Sequence, residues 1–396
     1  MRVLITSPVF PPDLGGPAVY VPSLARFLAD RGHQVEVVAF CSDPEPKGHP
    51  FRVISISRGS LPVRYLKAFF IVWRRARRAD VVYVNEHLAL LHVLAAKLAG
   101  KPVMIRIMVD GAWEIAHRYN WCGGDMINEF QTKTYGWKVK LTRGLQRRWW
   151  KWSAHIIACS EFLRQILVKN YGVPPDKVQR VFNAYHGPSV DSVTESPKEA
   201  RAKLGLRDDR RYLLTICRLM GWKRVDGIIE ALKELPDDVH LLVAGDGDME
   251  AEWKALAVRL GLGARVTFLG NVKHALIPLY IRAADVFVLN SEYEGLSHTL
   301  LEVLFLGTPI IASRVCGNPE VVEDGVNGLL VDPRSSRELR DAIERMLADA
   351  GLRKRMVEAG LARRARFDRA ATFGEVEAAL RGIARVSVGA SEKAIG

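Results

Sequence analysis

Two stretches of alternating strand and helix, parted by a single Pro- and Ser-rich break, constrain this chain more than any other feature. In the first stretch, β-branched apolar runs fall at Val3–Thr6, Gln34–Phe40, Arg52–Ile56, Val81–Val84, Val103–Ile107 and His155–Ala158. Helical stretches such as Val19–Arg31 and Glu86–Leu98 lie between them. Continuously apolar strands that each lead into a helix predict a parallel sheet covered on both faces. The run Gly187 to Pro197 carries Pro, Ser and Gly at the density of a linker. The alternation then restarts at Tyr212–Cys217, His240–Ala244, Val266–Leu269, Val286–Leu289, Pro309–Ala312 and Gly328–Val331. The expected class is therefore α/β, with two doubly wound units. The expected division is a first domain over 1–186, a linker over 187–198, a second domain over 199–369, and a helix with its tail over 370–396. That last helix suits either domain. A length of 396 residues agrees, because a single core stops growing well short of it. No short repeat period marks a solenoid.

Composition excludes several classes. With 48% apolar and 26% charged residues, the chain is neither disordered nor collagen-like. No stretch approaches the roughly 20 apolar residues of a membrane span. The opening run Met1–Thr6 is too short for a signal peptide. Five cysteines, at 41, 122, 159, 217 and 316, form no C-x-x-C pair, so neither a disulfide framework nor a zinc site is expected. A reduced, cytoplasmic protein is the reading. The net charge of +13 is uneven: residues 1–190 hold 27 basic and 13 acidic side chains, residues 191–396 hold 30 and 31.

Candidate chemistry gathers in the second half. Ser291 to Glu302 reads SEYEGLSHTLLE, after one strand and into a helix. Ser297 is placed to cap that helix, and Gly295 lets backbone approach a ligand. The amides of Leu296, Ser297 and His298 would form a nest for phosphate. Glu294 and Glu302 can bracket a polyhydroxy ligand, since carboxylates accept hydrogen bonds from sugar hydroxyls. Taken singly, each is more simply a solvated helix-entry charge. Arg218 and Lys223 leave the first strand of the second set and offer a fork and a point charge to a diphosphate. Gly245 follows another strand, and Gly15-Gly16 follow the first strand of all. Neither domain carries G-x-G-x-x-G at its first turn.

These motifs, in this order, resemble the retaining, nucleotide-sugar-dependent glycosyltransferases of family four, whose fold is GT-B. The resemblance rests on Phe10-Pro11-Pro12 with Gly15-Gly16, on Arg218 with Lys223, and on Gly245-Asp246-Gly247. It rests further on Glu294 and Glu302 as E-x7-E, on Gly307-Thr308-Pro309, and on the run Pro319 to Val331. It implies that Arg218 and Lys223 bind the donor diphosphate and stabilise it as it leaves. It implies that Glu302 holds the ribose, and that Glu294 meets the transferred sugar beside Gly295, Leu296 and Ser297. Gly16 would let its loop close on the phosphates, and backbone at Asn271 and Val272 would edge the base. No metal or other cofactor is implied, and the sequence offers no D-x-D motif or metal-ligand cluster. Many members carry a His where this chain has Asp110. Asp110 is then a candidate sugar contact, or an N-cap before Ala112. The implied activity moves a sugar to a glycan or lipid-linked acceptor in cell-surface polysaccharide or glycolipid synthesis, in a cleft between the two domains. A non-catalytic sugar-nucleotide-binding scaffold and a GT-B epimerase are the alternatives.

The basic half suggests a further partner. No acidic residue occurs from Pro46 to Ala79 or from Phe130 to Ser160. In the first window Arg64, Lys67, Arg74, Arg75 and Arg78 share one helical face, with Tyr65, Phe69, Val72, Trp73 and Ala76 on the other. In the second, Leu141, Leu145, Trp149 and Trp152 form a stripe opposite Lys140, Arg143, Arg147, Arg148 and Lys151. Both apolar stripes are expected to pack on the sheet. The cations, with seven of nine tryptophans in this half, suit an anionic membrane surface and a peripheral location at its inner face. Nucleic acid is the rival polyanion, but no nucleic-acid motif accompanies the charge.

Overall fold

The computed structural model describes residues 1–13, 15–85 and 89–393, with the side chains of the last helix followed to Arg385. The chain forms two compact units: Met1–Phe182 together with the segment from Arg369, and Asn183–Asp368. The first is built on strands β1 (Arg2–Ser7), β2 (Gln34–Phe40), β3 (Arg52–Ile56), β4 (Val81–Val84), β5 (Val103–Ile107), β6 (His155–Ala158) and β7 (Val178–Arg180). They lie in the order β3-β2-β1-β4-β5-β6-β7. Strand β7 was not foreseen, because Val-Gln-Arg is too short and polar to stand out as an apolar run. The expected helix over Glu86–Leu98 begins among residues outside the description. Its described part is Leu90–Leu98.

The second unit holds β8 (Arg211–Ile216), β9 (Val239–Ala244), β10 (Val266–Gly270), β11 (Val286–Leu289), β12 (Ile310–Ser313) and β13 (Leu329–Val331). Their order is β10-β9-β8-β11-β12-β13. Both sheets are parallel throughout. Every residue of β4 and β9 is buried, as helices on both faces require. In each unit the strand order reverses beside the first strand, between β1 and β4 and between β8 and β11. Open sheets bind ligands at that reversal, outside the carboxyl ends of the strands.

The helix left open by the sequence, Arg369–Lys393, belongs to the first unit. Phe373 packs edge-on against Tyr20 and Phe27, each at 5.5 Å between ring centroids. Val376 and Leu380 are fully buried beside it. Three such side chains contribute about 1.5–3 kcal/mol each. Glu377 adds polar fixings to His33 at 2.9 Å and Arg31 at 2.6 Å. The chain passes between units at 182/183. The Pro- and Ser-rich run lies wholly within the second unit, where Tyr185 stacks on Phe305 at 4.1 Å and donates to the Pro188 carbonyl. Arg282 also donates to the Glu195 carbonyl.

The two basic helices depart from expectation. Helix Leu61–Ala76 buries only Ala68, Val72 and Ala76. Val63, Leu66, Phe70 and Trp73 are exposed, so a second apolar stripe faces outward. Helix Trp137–Trp152 buries Val139, Gln146, Trp149 and Trp150, and leaves Trp137, Leu141 and Leu145 exposed. Only Trp149 of its expected stripe is buried. Small residues set the contact of the first helix with its neighbours, and apolar side chains remain on the opposite side.

Candidate functional site

The second unit brings its loops together at the carboxyl ends of β8 and β11. After β8 the chain turns through Gly221–Lys223 and reaches Arg224, whose φ of 47° is left-handed. The Lys223 amide donates to the Met220 carbonyl, which turns its side chain toward the neighbouring loop. There Lys223 Nζ meets Glu294 Oε1 at 2.5 Å, with the two side chains 16% and 11% exposed. Ser291 donates its hydroxyl to the same oxygen at 2.8 Å. Two residues expected to act on one ligand are thus a direct ion pair. Arg218, one turn earlier, is exposed and pairs with no carboxylate among the described residues.

A second node holds these loops in place. Buried Glu292 accepts from Arg224 at 3.1 Å and from Arg334 at 2.9 Å. Its amide donates to the Trp222 carbonyl at 2.7 Å. Removing Glu292 would leave two partly exposed arginines without that carboxylate, at less than the roughly 3–5 kcal/mol of a fully buried pair. Two glycines permit the close packing. A Cβ on Gly245, at φ 122°, would fall 1.9 Å from the Cys217 carbonyl oxygen. One on Gly317 would fall 2.1 Å from the Gly295 oxygen, while the Gly317 amide donates to the Glu294 carbonyl. Sequence reasoning missed Glu292, Arg224, Arg334 and Gly317. For Gly317, the position beyond the carboxyl end of β12 was the available signal.

Ser297 caps helix His298–Leu306, accepting from the Leu300 amide, as its place in the sequence implied. Buried Gly295 and Leu296 precede it, and Asn183 donates to the Leu296 carbonyl at 2.7 Å. Glu302 stands on this helix with Tyr185, Gly187, His274 and Pro278 around it. Burial pushes its carboxyl up to about 7. Exposed Asn271 and half-buried Val272 follow β10, whose last carbonyl accepts from the Gly245 amide. Burial also raises the thiols of Cys217 and Cys316, to about 11 and about 12, so neither is a nucleophile near neutral pH.

The remaining expected residues lie in the first unit. Gly15 and Gly16 form the turn from β1 into helix Gly16–Asp30, at the reversal of that sheet. Asp110 requires a correction. It is fully buried, caps helix Gly111–Arg118, and accepts from five donors: the Ala112 and Trp113 amides, Gln131, Gln146 and the Tyr171 hydroxyl. Burial and then the charge of Asp110 keep that tyrosine protonated. A carboxylate with its lone pairs so occupied has none to offer a sugar hydroxyl. Asp110→Ala is accordingly expected to destabilise the fold by about 3 kcal/mol, because Gln146, the Trp113 amide and the Tyr171 hydroxyl lose a buried acceptor, while the Ala112 amide keeps Gln146 Oε1. Thermal unfolding measures this. An unchanged melting temperature with lost turnover would restore Asp110 to the site.

Comparison with known proteins decides the family. The model described as Glycosyl transferases group 1 matches residues 196–363, and that described as Glycosyltransferase Family 4 matches residues 14–186. The chain belongs to glycosyltransferase family 4. This glycosyltransferase is 26% identical over 373 residues to an uncharacterized glycosyltransferase of Methanocaldococcus jannaschii, covering 90% of this chain and 92% of that one. It is 36% identical over 160 residues to the lipopolysaccharide core biosynthesis glycosyltransferase LpsE of Rhizobium meliloti, covering 40% and 46%. Among solved structures, HepE of Anabaena in complex with UDP-glucose superposes with a TM-score of 0.76 at 22% identity, covering 96% and 100%. The fold is GT-B.

Proposed function

We propose that this glycosyltransferase takes a nucleotide-sugar donor at the carboxyl edge of its second sheet and transfers the sugar with retention of anomeric configuration. One observation carries the reading: Lys223, in the loop that also holds exposed Arg218, meets Glu294 at the reversal between β8 and β11. An entering diphosphate would find two cations and the amides of Gly295 to Ser297, and needs no metal. Glu294 would pass from Lys223 to a sugar hydroxyl, and Glu302 would accept from the ribose. Gly245, Asn271 and Val272 would edge the nucleoside. Retention requires same-face attack, in which the departing phosphate takes the acceptor proton as the new glycosidic bond forms. The family membership and the UDP-glucose complex of a similarly folded protein support a nucleotide donor.

The acceptor is proposed to be a glycan or a lipid-linked glycan used in cell-surface polysaccharide or glycolipid synthesis. The cation-rich helices of the first unit would hold the enzyme against an anionic membrane surface on the cytoplasmic side. Among the described residues no helix is long and apolar enough to cross a membrane.

A thermal-shift panel of nucleoside diphosphates and their sugars tests the donor reading. One base should raise the melting temperature by several degrees at 100 times its Kd, where mass action contributes about 2.7 kcal/mol. A panel without any shift would count against it. The saturation of Asp110 favours a second reading, sugar-nucleotide binding without transfer. Release of free nucleoside diphosphate on adding acceptor separates the two.

A further inference from the structure

The first unit contains an apolar groove of about 670 Å³ that none of the chemistry above uses. Leu90, Leu91, Ile115, Leu145 and Trp149 line it, with Tyr65 at one side. It lies among the starts of helices Leu61–Ala76, Leu90–Leu98 and Gly111–Arg118, which follow β3, β4 and β5. The groove is therefore at the carboxyl edge of the first sheet, where an α/β unit takes its ligand. Its volume falls within the roughly 300–1,000 Å³ usual for small-molecule pockets.

We propose that this groove receives the hydrocarbon chain of a membrane lipid phosphate. Resting on the transferase reading above, this makes the acceptor lipid-linked rather than a free glycan. Each methylene taken from water into such walls contributes about 0.8 kcal/mol. Arg64 supplies the fixing for the phosphate. Its guanidinium lines the groove and lies over the rings of Phe40 at 4.9 Å and Tyr65 at 5.7 Å. It pairs with no carboxylate among the described residues, and its buried Nε has no hydrogen-bond partner. Among the described residues the groove's one lining carboxylate, Glu114, is paired with Arg118 at 3.5 Å.

The surroundings identify the occupant as a lipid. Leu61 and Leu145 at the groove's mouth are 55% and 38% exposed. They continue into the outward stripes Val63, Leu66, Phe70 and Trp73 on one helix and Trp137 and Leu141 on the other. Helices Leu61–Ala76 and Trp137–Trp152 carry ten Lys and Arg residues and no acidic one. A second copy of the chain would set these cations against each other. An anionic bilayer matches both the apolar stripes and the charge, so a chain could pass from bilayer to groove without crossing water.

Calorimetric titration of the whole protein with dodecyl phosphate, below its micelle concentration, tests the groove. One molecule should bind per chain, and inorganic phosphate at the same concentration should give no heat. Ile115→Glu and Arg64→Ala should each weaken binding at least tenfold while the nucleotide thermal shift stays unchanged. Leu145→Glu, at the exposed rim, replaces Ile115→Glu if that variant melts early. Absence of saturable binding, or equal affinity in all variants, overturns the proposal. Radiolabel from the best donor should enter the solvent-extractable fraction of membranes, at least tenfold less with the variants. Label confined to water-soluble product would overturn the assignment of the lipid as acceptor. Dodecyl phosphate binding without any nucleotide shift would instead sink the donor reading and leave the groove standing.

Discussion

Replacing Lys223 by alanine should lower kcat/KM for sugar transfer by roughly 10²–10³-fold, the usual cost of removing one group that stabilises developing charge. In the unliganded protein Lys223 neutralises Glu294, and both side chains are largely shielded. On the donor reading above, negative charge builds on the departing diphosphate as its bond to the sugar breaks, and the same ammonium would offset it. Removing it loses that stabilisation and leaves Glu294 without its cation. Glu294→Ala should also impair transfer, because the expected contact to the transferred sugar is lost. Because the two groups touch, their effects should not add. The double variant should lose less than the product of the two single losses, with an interaction of about 0.5–3 kcal/mol. Steady-state kinetics beside melting curves read this directly. Near-wild-type transfer by a Lys223→Ala protein with an unchanged melting temperature would show that the pair is structural.

Glu302→Gln should stabilise the unliganded protein at pH 8 while weakening its nucleotide binding at least tenfold. Burial raises the Glu302 carboxyl from its ordinary 4.5 to about 7. Between those values the folded protein keeps a proton that the unfolded chain has released. The penalty for holding the ionised form in its recess is therefore absent below about pH 4.5, grows through neutrality and is complete above pH 7. Two to three units correspond to roughly 3 kcal/mol. The melting temperatures of wild type and variant should converge in acid and separate in base. Nucleotide affinity should move oppositely. On the donor reading above, ribose hydroxyls would donate to the carboxylate, so wild-type binding should strengthen as pH rises through about 7, beyond any trend shared with the variant. Parallel melting curves at every pH would show that the carboxyl carries no burial penalty.

Sequence patterning revealed the elements and the loops, and missed what depends on distant partners. Strands β4 and β9 were legible because they are apolar throughout. The candidate loops were legible because ligands of such sheets sit after strand ends, and Arg218, Lys223, Glu294 and Ser297 all follow strands. That Lys223 pairs with Glu294 needs the adjacency of β8 and β11, which are 71 residues apart at this contact. Glu292 and Glu294 look alike in sequence. Only the arrival of Arg224 and Arg334 makes one a strut and leaves the other facing Lys223. Asp110 stayed open between sugar contact and N-cap for the same reason: Gln131, Gln146 and Tyr171, which saturate the capping carboxylate, lie 21, 36 and 61 residues away. In helix Leu61–Ala76 large apolar residues occur on several sides, so periodicity alone did not say that Ala68, Val72 and Ala76 would face inward.

The return of helix Arg369–Lys393 to the first unit fixes an order of events during synthesis. Asn183–Asp368 is one uninterrupted stretch, and its sheet can close as soon as that stretch has left the ribosome. The earlier half must wait, with Tyr20 and Phe27 lacking Phe373 until the last helix emerges. The second unit thus matures before the unit that precedes it in the chain. Until then an apolar face stays open to water, and a chaperone would find its opportunity there.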